Sequence, residues 1–404
     1  MAGVKPGPGE PVAGDPDPSD SRAGYRVLRP RQLRNVNEIA VLRHLIAAGP
    51  ASRLEIAQEL GLTQGPITRI VGRLMERGLV RESPQRAPAV GRGRPKVPIE
   101  VIAEARMIIG AHIGLQHLTI GAAGIDGKPV NGVQVDHDGT WPGTLEQIAD
   151  FVARTEQQFS APLIGVGVII GGVVDGNRGA LTVHDTLGWQ HVGMRDDLAQ
   201  RLDRPVFVEA SARAHAQADV LFGTAGKVQN FLHVFVGNIV EVATVVDGQV
   251  RAGRDGVAGD VSSWILGDDH GRAITAGAAL GDQHVLEQAR QRGVIETGDG
   301  LDQLVARAGQ PDGGGAAREL LLQRAAQVGR LLAQLDALLA PEMIVISSGV
   351  VAVSGALAAA SAAMQSSRQT VRVPPLRMTR YGSNPLVSAA AAVVLDRTLL
   401  DTAG

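Results

Sequence analysis

The sequence predicts an α/β protein in two unlike parts: a small basic helical module in front and a two-lobed α/β body behind it. Three observations predict this. Apolar residues recur at helical spacing in three successive stretches between Asn35 and Gly78. From Arg106 the pattern changes to short hydrophobic strands closed by glycine turns and alternating with helices, and the series of hairpin then βα units occurs twice. Charge divides at the same place. Residues 22–98 carry fifteen Lys or Arg against five Glu, a net +10, residues 1–21 carry −3, and residues 99–404 carry −9 of the overall −2. A basic module on an acidic body implies that one end meets a polyanion and the other does not.

The chain has 404 residues, room for two or three domains with a large buried core; 44% are hydrophobic and 20% charged, as in a water-soluble fold. The absence of cysteine excludes disulfides and thiolate metal ligands. Residues 1–30 read as a disordered tail, because Pro, Gly and Asp dominate and no apolar run of the signal-peptide kind occurs. No run of eighteen apolar residues appears, so the expectation is a cytoplasmic protein without a membrane partner.

Residues 31–85 are expected to form a winged helix-turn-helix. "NVNEIAVLRHLIAAG" supplies the first helix. The second opens with "SRLE", where Ser52 and Glu55 make a capping box ahead of Ile56, Ala57 and Leu60. After the break at "GL", Thr63 caps a third helix, "QGPITRIVGRLMERG", with Pro66 in its first turn and Gly78 ending it. On that helix Ile67, Ile70, Val71 and Leu74 share an inward face. Thr63, Gln64, Gly65, Thr68, Arg69 and Arg73 mark the outward one, with hydrogen-bonding groups early for base edges and arginines later for phosphates. A plain three-helix bundle with a solvated face would carry the same residues.

Residues 86–104 are expected as a wing and basic linker. "LVRESPQRAPAVGRGRPKVPIEV" has apolar ends and a basic middle, as a β-hairpin wing followed by an extended arm would. Within it Arg92, Gly93, Arg94 and Pro95, with Lys96 behind, resemble an AT-hook core. Glycine between two arginines keeps the backbone slim enough for a narrow A·T minor groove. A basic Gly/Pro linker is the plainer reading of the same residues.

Residues 105–400 follow as the body. "MIIGAHIGLQHLTIGAAGIDGKPV" reads as two strands and a turn, "PLIGVGVIIGGVVDG" as a buried strand ending in a glycine turn, and "RDDLAQRL" as a helix. "RPVFVEA" is a strand, "SARAHAQADVLFG" a helix, and "NFLHVFVGNIVEVATVVDGQV" strand–turn–strand. Two long helical stretches occupy about Gly315 to Leu339, and "EMIVISSGVV" is a strand running into a glycine turn.

Over about residues 34–395 this order resembles the ROK family of repressors, open reading frames and kinases. The segments that carry the resemblance include "IIGAHIGLQHLTIGAAGIDG", "GVGVIIGGVVD", "RPVFVEA", "GVAGDV" and "APEMIVISSGV". It implies a two-lobed actin-like, sugar-kinase-like fold behind the winged helix. The family's reactive residues are replaced. Its first phosphate loop has an acidic residue and Gly-Gly-Thr, where this chain has His112 and Gly114, Leu115, Gln116. Its second, Gly-Thr-Gly-Ile-Gly, is "GNIVE" here, with Glu241 at the end where a carboxylate would repel a triphosphate. The catalytic aspartate of Val-Glu-Asn-Asp is Ser211, preceded by Ala210, and a serine hydroxyl is no base near neutral pH. Glu-x-Gly-His becomes Asp260, Ser262 and Ser263, and the three zinc cysteines become Asp268, His270 and Thr275. At most two good zinc donors remain, where a structural site wants four.

The expectation is therefore a sequence-specific DNA-binding transcriptional regulator, a repressor, with no catalytic residues, no metal and no cofactor. Its partner is a double-stranded DNA operator, and the resemblance implies a homodimer or homotetramer. It also places Ser211, Gly237, Asn238, Asp260 and Ser263 at an interlobe cleft for a small-molecule effector, a sugar or another metabolite. The alternatives are a ligand-independent regulator whose ROK body only oligomerises, and a carbohydrate kinase.

Overall fold

The computed structural model describes residues 30–84, 97–223, 225–267, 273–311, 314–349, 353–368, 371–379, 381 and 384–401. The tail (residues 1–29) and the AT-hook-like Arg92–Lys96 segment, with Gly93, Arg94 and Pro95, lie outside them.

The front module consists of α1 (Pro30–Ala48), β1 (Ala51–Ser52), α2 (Arg53–Glu59), α3 (Gln64–Glu76), β2 (Val80–Glu82) and β3 (Pro98–Val101). The capping box forms as its residues dictate: Ser52 Oγ accepts from the Glu55 N–H, and Glu55 Oε2 accepts from the Ser52 N–H at 2.9 Å. In α3, Ile67, Ile70, Val71 and Leu74 are buried, each removal from water contributing about 1.5–3 kcal/mol. Thr63 occupies the N-cap of α3 with extended backbone but its hydroxyl makes no capping bond, so the helix starts there on backbone geometry alone. β3 pairs antiparallel with both β2 and β1 in a sheet of order β1-β3-β2. Pro98–Val101, expected within a wing and linker stretch, is thus a strand of the winged-helix sheet. The RGRP segment falls between two paired strands rather than in an arm beyond them.

The body's first lobe contains β4 (Met107–Ile113), β5 (His117–Gly124), β6 (Val133–Asp136), α4 (Trp141–Gln158), β7 (Leu163–Ile170), β8 (Val173–Asp175), β9 (Ala180–His184), β10 (Trp189–Val192), α5 (Met194–Leu202), β11 (Val206–Ala210) and α6 (Ser211–Leu221). Its main sheet runs β11-β7-β4-β5-β6, with β4 parallel to β7 and antiparallel to β5. Successive residues of β4 serve opposite cores: Ile109 and Ala111 meet α4 and α5, whereas Ile108 meets the helices on the other side.

The second lobe contains β12 (Phe231–Val236), β13 (Val240–Val246), β14 (Gln249–Arg251), β15 (Ile265–Gly267), β16 (Ala273–Thr275), α7 (Ala276–Leu280), α8 (Asp282–Gln291), α9 (Leu301–Ala308), α10 (Gly315–Leu339), β17 (Met343–Ser348), α11 (Ala356–Arg368) and β18 (Leu376–Met378). Its main sheet runs β14-β13-β12-β17-β18. The stretch expected as two helices is one, α10, of 25 residues. The chain then crosses back: α12 (Pro385–Asp401) packs on the first-lobe sheet beside α6.

Two helices tie the parts together. α6 has small residues on both sides because it lies between lobes: Ala212 and Ala216 pack on second-lobe strands, Ala214, Ala218 and Leu221 on the core shared with α12. That core continues without interruption into the winged helix through Val41, Leu42 and Leu45 of α1. Arg43 of α1 also pairs with Asp396 of α12 at 2.5 Å.

Candidate nucleic-acid interface and interlobe cleft

Gln64, Gly65, Thr68 and Arg69 are exposed together on α3, as is Thr63 at its start. The Thr68 hydroxyl donates to the Gln64 carbonyl at 2.9 Å, which leaves its lone pairs outward. Arg69 makes no hydrogen bond or ion pair among the described residues. Arg73 differs from expectation: its guanidinium pairs with Glu38 of α1, which also receives Arg77 at 3.4 Å. It is therefore a clamp between α1 and α3 with an exposed edge, not a free phosphate hook. Other cations of the module are likewise spoken for, Arg53 by Glu82 and Arg81 by Glu100. Arg69 is left as the unpaired cation of the α3 face.

In the body, the turn joining β4 to β5 and the turn joining β12 to β13 face each other across a cleft of about 540 Å³. Leu115 stands on one side and Gly237, Asn238 and Ile239 on the other; the rings of His112 and Phe235, one from each lobe, are 6.2 Å apart. Ser211, Gly237 and Asn238 line the cleft as expected. Asp260 and Ser263 do not: both are exposed on the surface, and Asp260 forms a β-bridge with Glu241 on the far side of β13.

Beneath the cleft lies a buried polar network that the sequence reading missed. Asp219 Oδ2 meets His233 Nδ1 at 2.5 Å, and His233 Nε2 meets Ser347 Oγ at 2.7 Å. His215 stacks on His233 at 5.3 Å, and its Nδ1 lies 2.6 Å from the Tyr381 hydroxyl. Burial pulls the His112 imidazole down to about 4 and holds His215 well below its ordinary value, the latter assisted by the neighbouring His233 and His112. Both rings are neutral at physiological pH. The signal available in sequence was a histidine inside the apolar strand "FLHVFV", which demands a buried partner.

The segments that stand for the family's sugar contacts converge elsewhere. Ala210, Ala212, Glu241 and Asp260 surround a cavity of about 10 Å³, at most a single water. Arg213 fills it: its guanidinium bonds Glu209 at 2.7 Å and donates to the carbonyls of Val174, Gly256 and Ala258 at 2.6, 3.0 and 3.1 Å. Glu241 closes it from the second lobe, accepting the Gly172 N–H at 2.9 Å and the Ala212 N–H at 3.1 Å. Burial pushes this carboxyl up to about 7, against the opposing pull of those two N–H groups and of Arg213. Glu241, expected to repel a triphosphate, is not in the cleft at all. It is a strut between the lobes.

Of the former zinc positions, Asp268 and His270 lie outside the described residues. Thr275 caps α7, its hydroxyl accepting from the Ala278 N–H at 3.3 Å. Among the described residues no group of three or more His, Asp or Glu is placed to hold a metal, and no helix is long and apolar enough to cross a membrane.

Comparison with known proteins agrees with this geometry. The ROK family profile matches residues 108–394, and a winged helix-turn-helix DNA-binding profile matches residues 34–81. The chain is 28% identical over 399 residues to a transcriptional regulator of Mycobacterium tuberculosis, covering 94% of this chain and 90% of that one. It is 27% identical over 236 residues to the DNA-binding transcriptional dual regulator NagC of Escherichia coli, 57% of each chain. Among solved structures, a ROK transcriptional regulator homologous to the E. coli MLC protein superposes with a TM-score of 0.68 at 20% identity, over 92% of this chain and 98% of the other. A ROK glucokinase from Streptomyces griseus superposes at 0.61 and 20% identity, over 70% and 98%. The chain belongs to the ROK family and carries the winged helix-turn-helix of that family's transcriptional regulators.

Proposed function

We propose that the protein represses transcription by laying α3 in the major groove of an operator, with no sugar-kinase activity in its body. The observation that carries this is the α3 face: Gln64, Thr68 and Arg69 stand outward on a helix whose other face is locked into the core. Gln64 and Thr68 read base edges and Arg69 holds phosphate. Arg92, Gly93, Arg94, Pro95 and Lys96, between the two wing strands, reach the adjoining minor groove. A homodimer or homotetramer presents two such modules to paired half-sites.

Titration of a labelled operator duplex by the full chain tests the assignment. Gln64→Ala weakens binding by about 1–3 kcal/mol and relaxes sequence preference, and Arg69→Ala lowers the slope of log affinity against log salt by about 1. Arg94→Ala acts most on operators flanked by A·T tracts. Equal slopes for the native chain and Arg69→Ala would remove Arg69 from the interface.

Two features support the absence of kinase activity. Ser211 stands at the position of the family's base, and the sugar-contact segments enclose only about 10 Å³. Calorimetry is expected to give no binding heat with glucose or N-acetylglucosamine at micromolar concentrations. A coupled assay with ATP and a sugar panel is expected to show no turnover, and turnover would restore the kinase reading.

A further inference from the structure

We infer that a groove within the second lobe binds a small multivalent oxyanion, an organic molecule carrying two or more phosphate or carboxylate groups. The groove, of about 890 Å³, opens between α8, α10 and α11, a size that suits a small molecule. It shares no lining residue with the interlobe cleft, and the inference does not depend on the regulator reading.

Four arginines line it: Arg292 from the C-cap of α8, Arg324 and Arg330 from α10, and Arg368 from the end of α11. Among the described residues no Asp or Glu does. Residues 99–404 carry −9, so these cations gather against the overall sign of the body. Asp282 and Asp336 hold Arg324 and Arg368 at 2.5 and 2.9 Å without themselves lining the groove. Arg292 is exposed, and its side chain makes no hydrogen bond or ion pair among the described residues.

Arg324 carries the inference furthest. It is 3% exposed, its Nε donates to the Leu280 carbonyl at 2.8 Å and its Nη2 to Asp282, yet its Nη1 finds no acceptor. A buried guanidinium nitrogen is ordinarily bonded, and an oxyanion is the group that this position lacks. The same charge acts on the wall of the groove. Burial first, and Arg324 after it, lower the pKa of the His284 imidazole, which leaves that ring neutral.

The cations are spread out rather than gathered at one point. Arg324 and Arg330 stand six residues apart on α10, about 9 Å along its axis, and Arg292 and Arg368 come from the flanking helices. A monovalent anion cannot meet them together; a molecule with two or more charged groups can. Between the arginines α10 presents Gln323, Gln327 and Gln334, whose amides suit hydroxyls. Leu266, Ile274 and Leu320 complete the lining with apolar surface for a carbon skeleton.

Isothermal titration of the full chain with citrate and with inorganic pyrophosphate tests the site at low ionic strength, where screening is weak. Acetate is the monovalent comparison. Saturable binding of one polyanion per chain is expected, at least tenfold tighter than acetate. Binding of pyrophosphate alone would assign the site to phosphorylated ligands, and of citrate alone to polycarboxylates. Gln327→Glu sets a carboxylate among the arginines and Arg292→Gln removes an exposed one. Each should weaken binding at least fivefold with the far-UV spectrum unchanged, whereas Arg69→Ala on the face of α3 should leave it as it is. Arg324→Gln should abolish binding; because Arg324 also holds Asp282, the two other variants decide if that protein fails to fold. No saturable binding, an affinity equal to that for acetate, indifference to either Gln327→Glu or Arg292→Gln, or loss in Arg69→Ala would overturn the site. The operator titration reads the regulator assignment separately, so failure of one leaves the other standing.

Discussion

Glu241→Gln is expected to flatten the pH dependence of stability between about pH 4.5 and 8. Glu241 is 3% exposed and bridges the lobes through the Gly172 and Ala212 N–H groups. Burial raises its folded pKa from an ordinary 4.5 to about 7. The folded state therefore holds the proton more tightly than the unfolded chain. The stabilisation is fully present below pH 4.5 and is lost as pH rises through 7. At 1.36 kcal/mol per pKa unit the total is about 3 kcal/mol. Glutamine mimics the protonated side chain and does not titrate. The difference in unfolding free energy between the two proteins should thus change by about 3 kcal/mol in favour of the variant over that range. Denaturant titrations at pH 4.5, 6, 7 and 8 measure it, and parallel profiles would show that Glu241 ionises normally.

Gly167→Val is expected to cost at least about 3 kcal/mol, at the upper end of core overpacking. A Cβ on Gly167 would lie 2.1 Å from the Ala390 carbonyl oxygen of α12 and 2.9 Å from its carbon. These are backbone atoms in the buried stretch of α12, residues 387–395, and cannot turn aside. A Cβ on Gly110 would likewise lie 2.4 Å from the Val387 carbonyl oxygen. Glycine in β4 and β7, facing alanine in α12, thus sets how close the last helix lies to the sheet. Gly72→Ala is the control: nothing lies within 4 Å of its Cβ, and the change should stabilise α3 by about 0.5–1 kcal/mol. A loss below about 1 kcal/mol for Gly167→Val would mean that the contact with α12 does not require glycine there.

What the sequence made legible was local. The capping box at Ser52, the apolar stripe of α3 and the alternation of β4 are set by residues a few places apart. The interlobe chemistry was not local. Asp260 was expected at the cleft because its segment follows a sugar-contact pattern, yet β13 carries the chain past the cleft to the opposite side. Glu241 sits in a local pattern that points to a phosphate loop, although its two partners come from positions 172 and 212. The helical spacing that puts Arg73 on the outer face of α3 carries no sign of Glu38, which comes from α1. His233 and Ser347 sit on neighbouring strands of one sheet, β12 and β17, and His215 reaches them from α6 only in the packed tertiary structure.

The most direct test is genome-wide mapping of DNA bound by the native chain and by a Gln64→Ala/Arg69→Ala variant in the same cells. A repressor reading DNA through α3 should occupy a small set of sites sharing one paired motif, and the variant, present at equal level and equally folded, should vacate them. Binding without a shared motif, or the same sites held by the variant, would contradict the assignment of α3 as the reading helix.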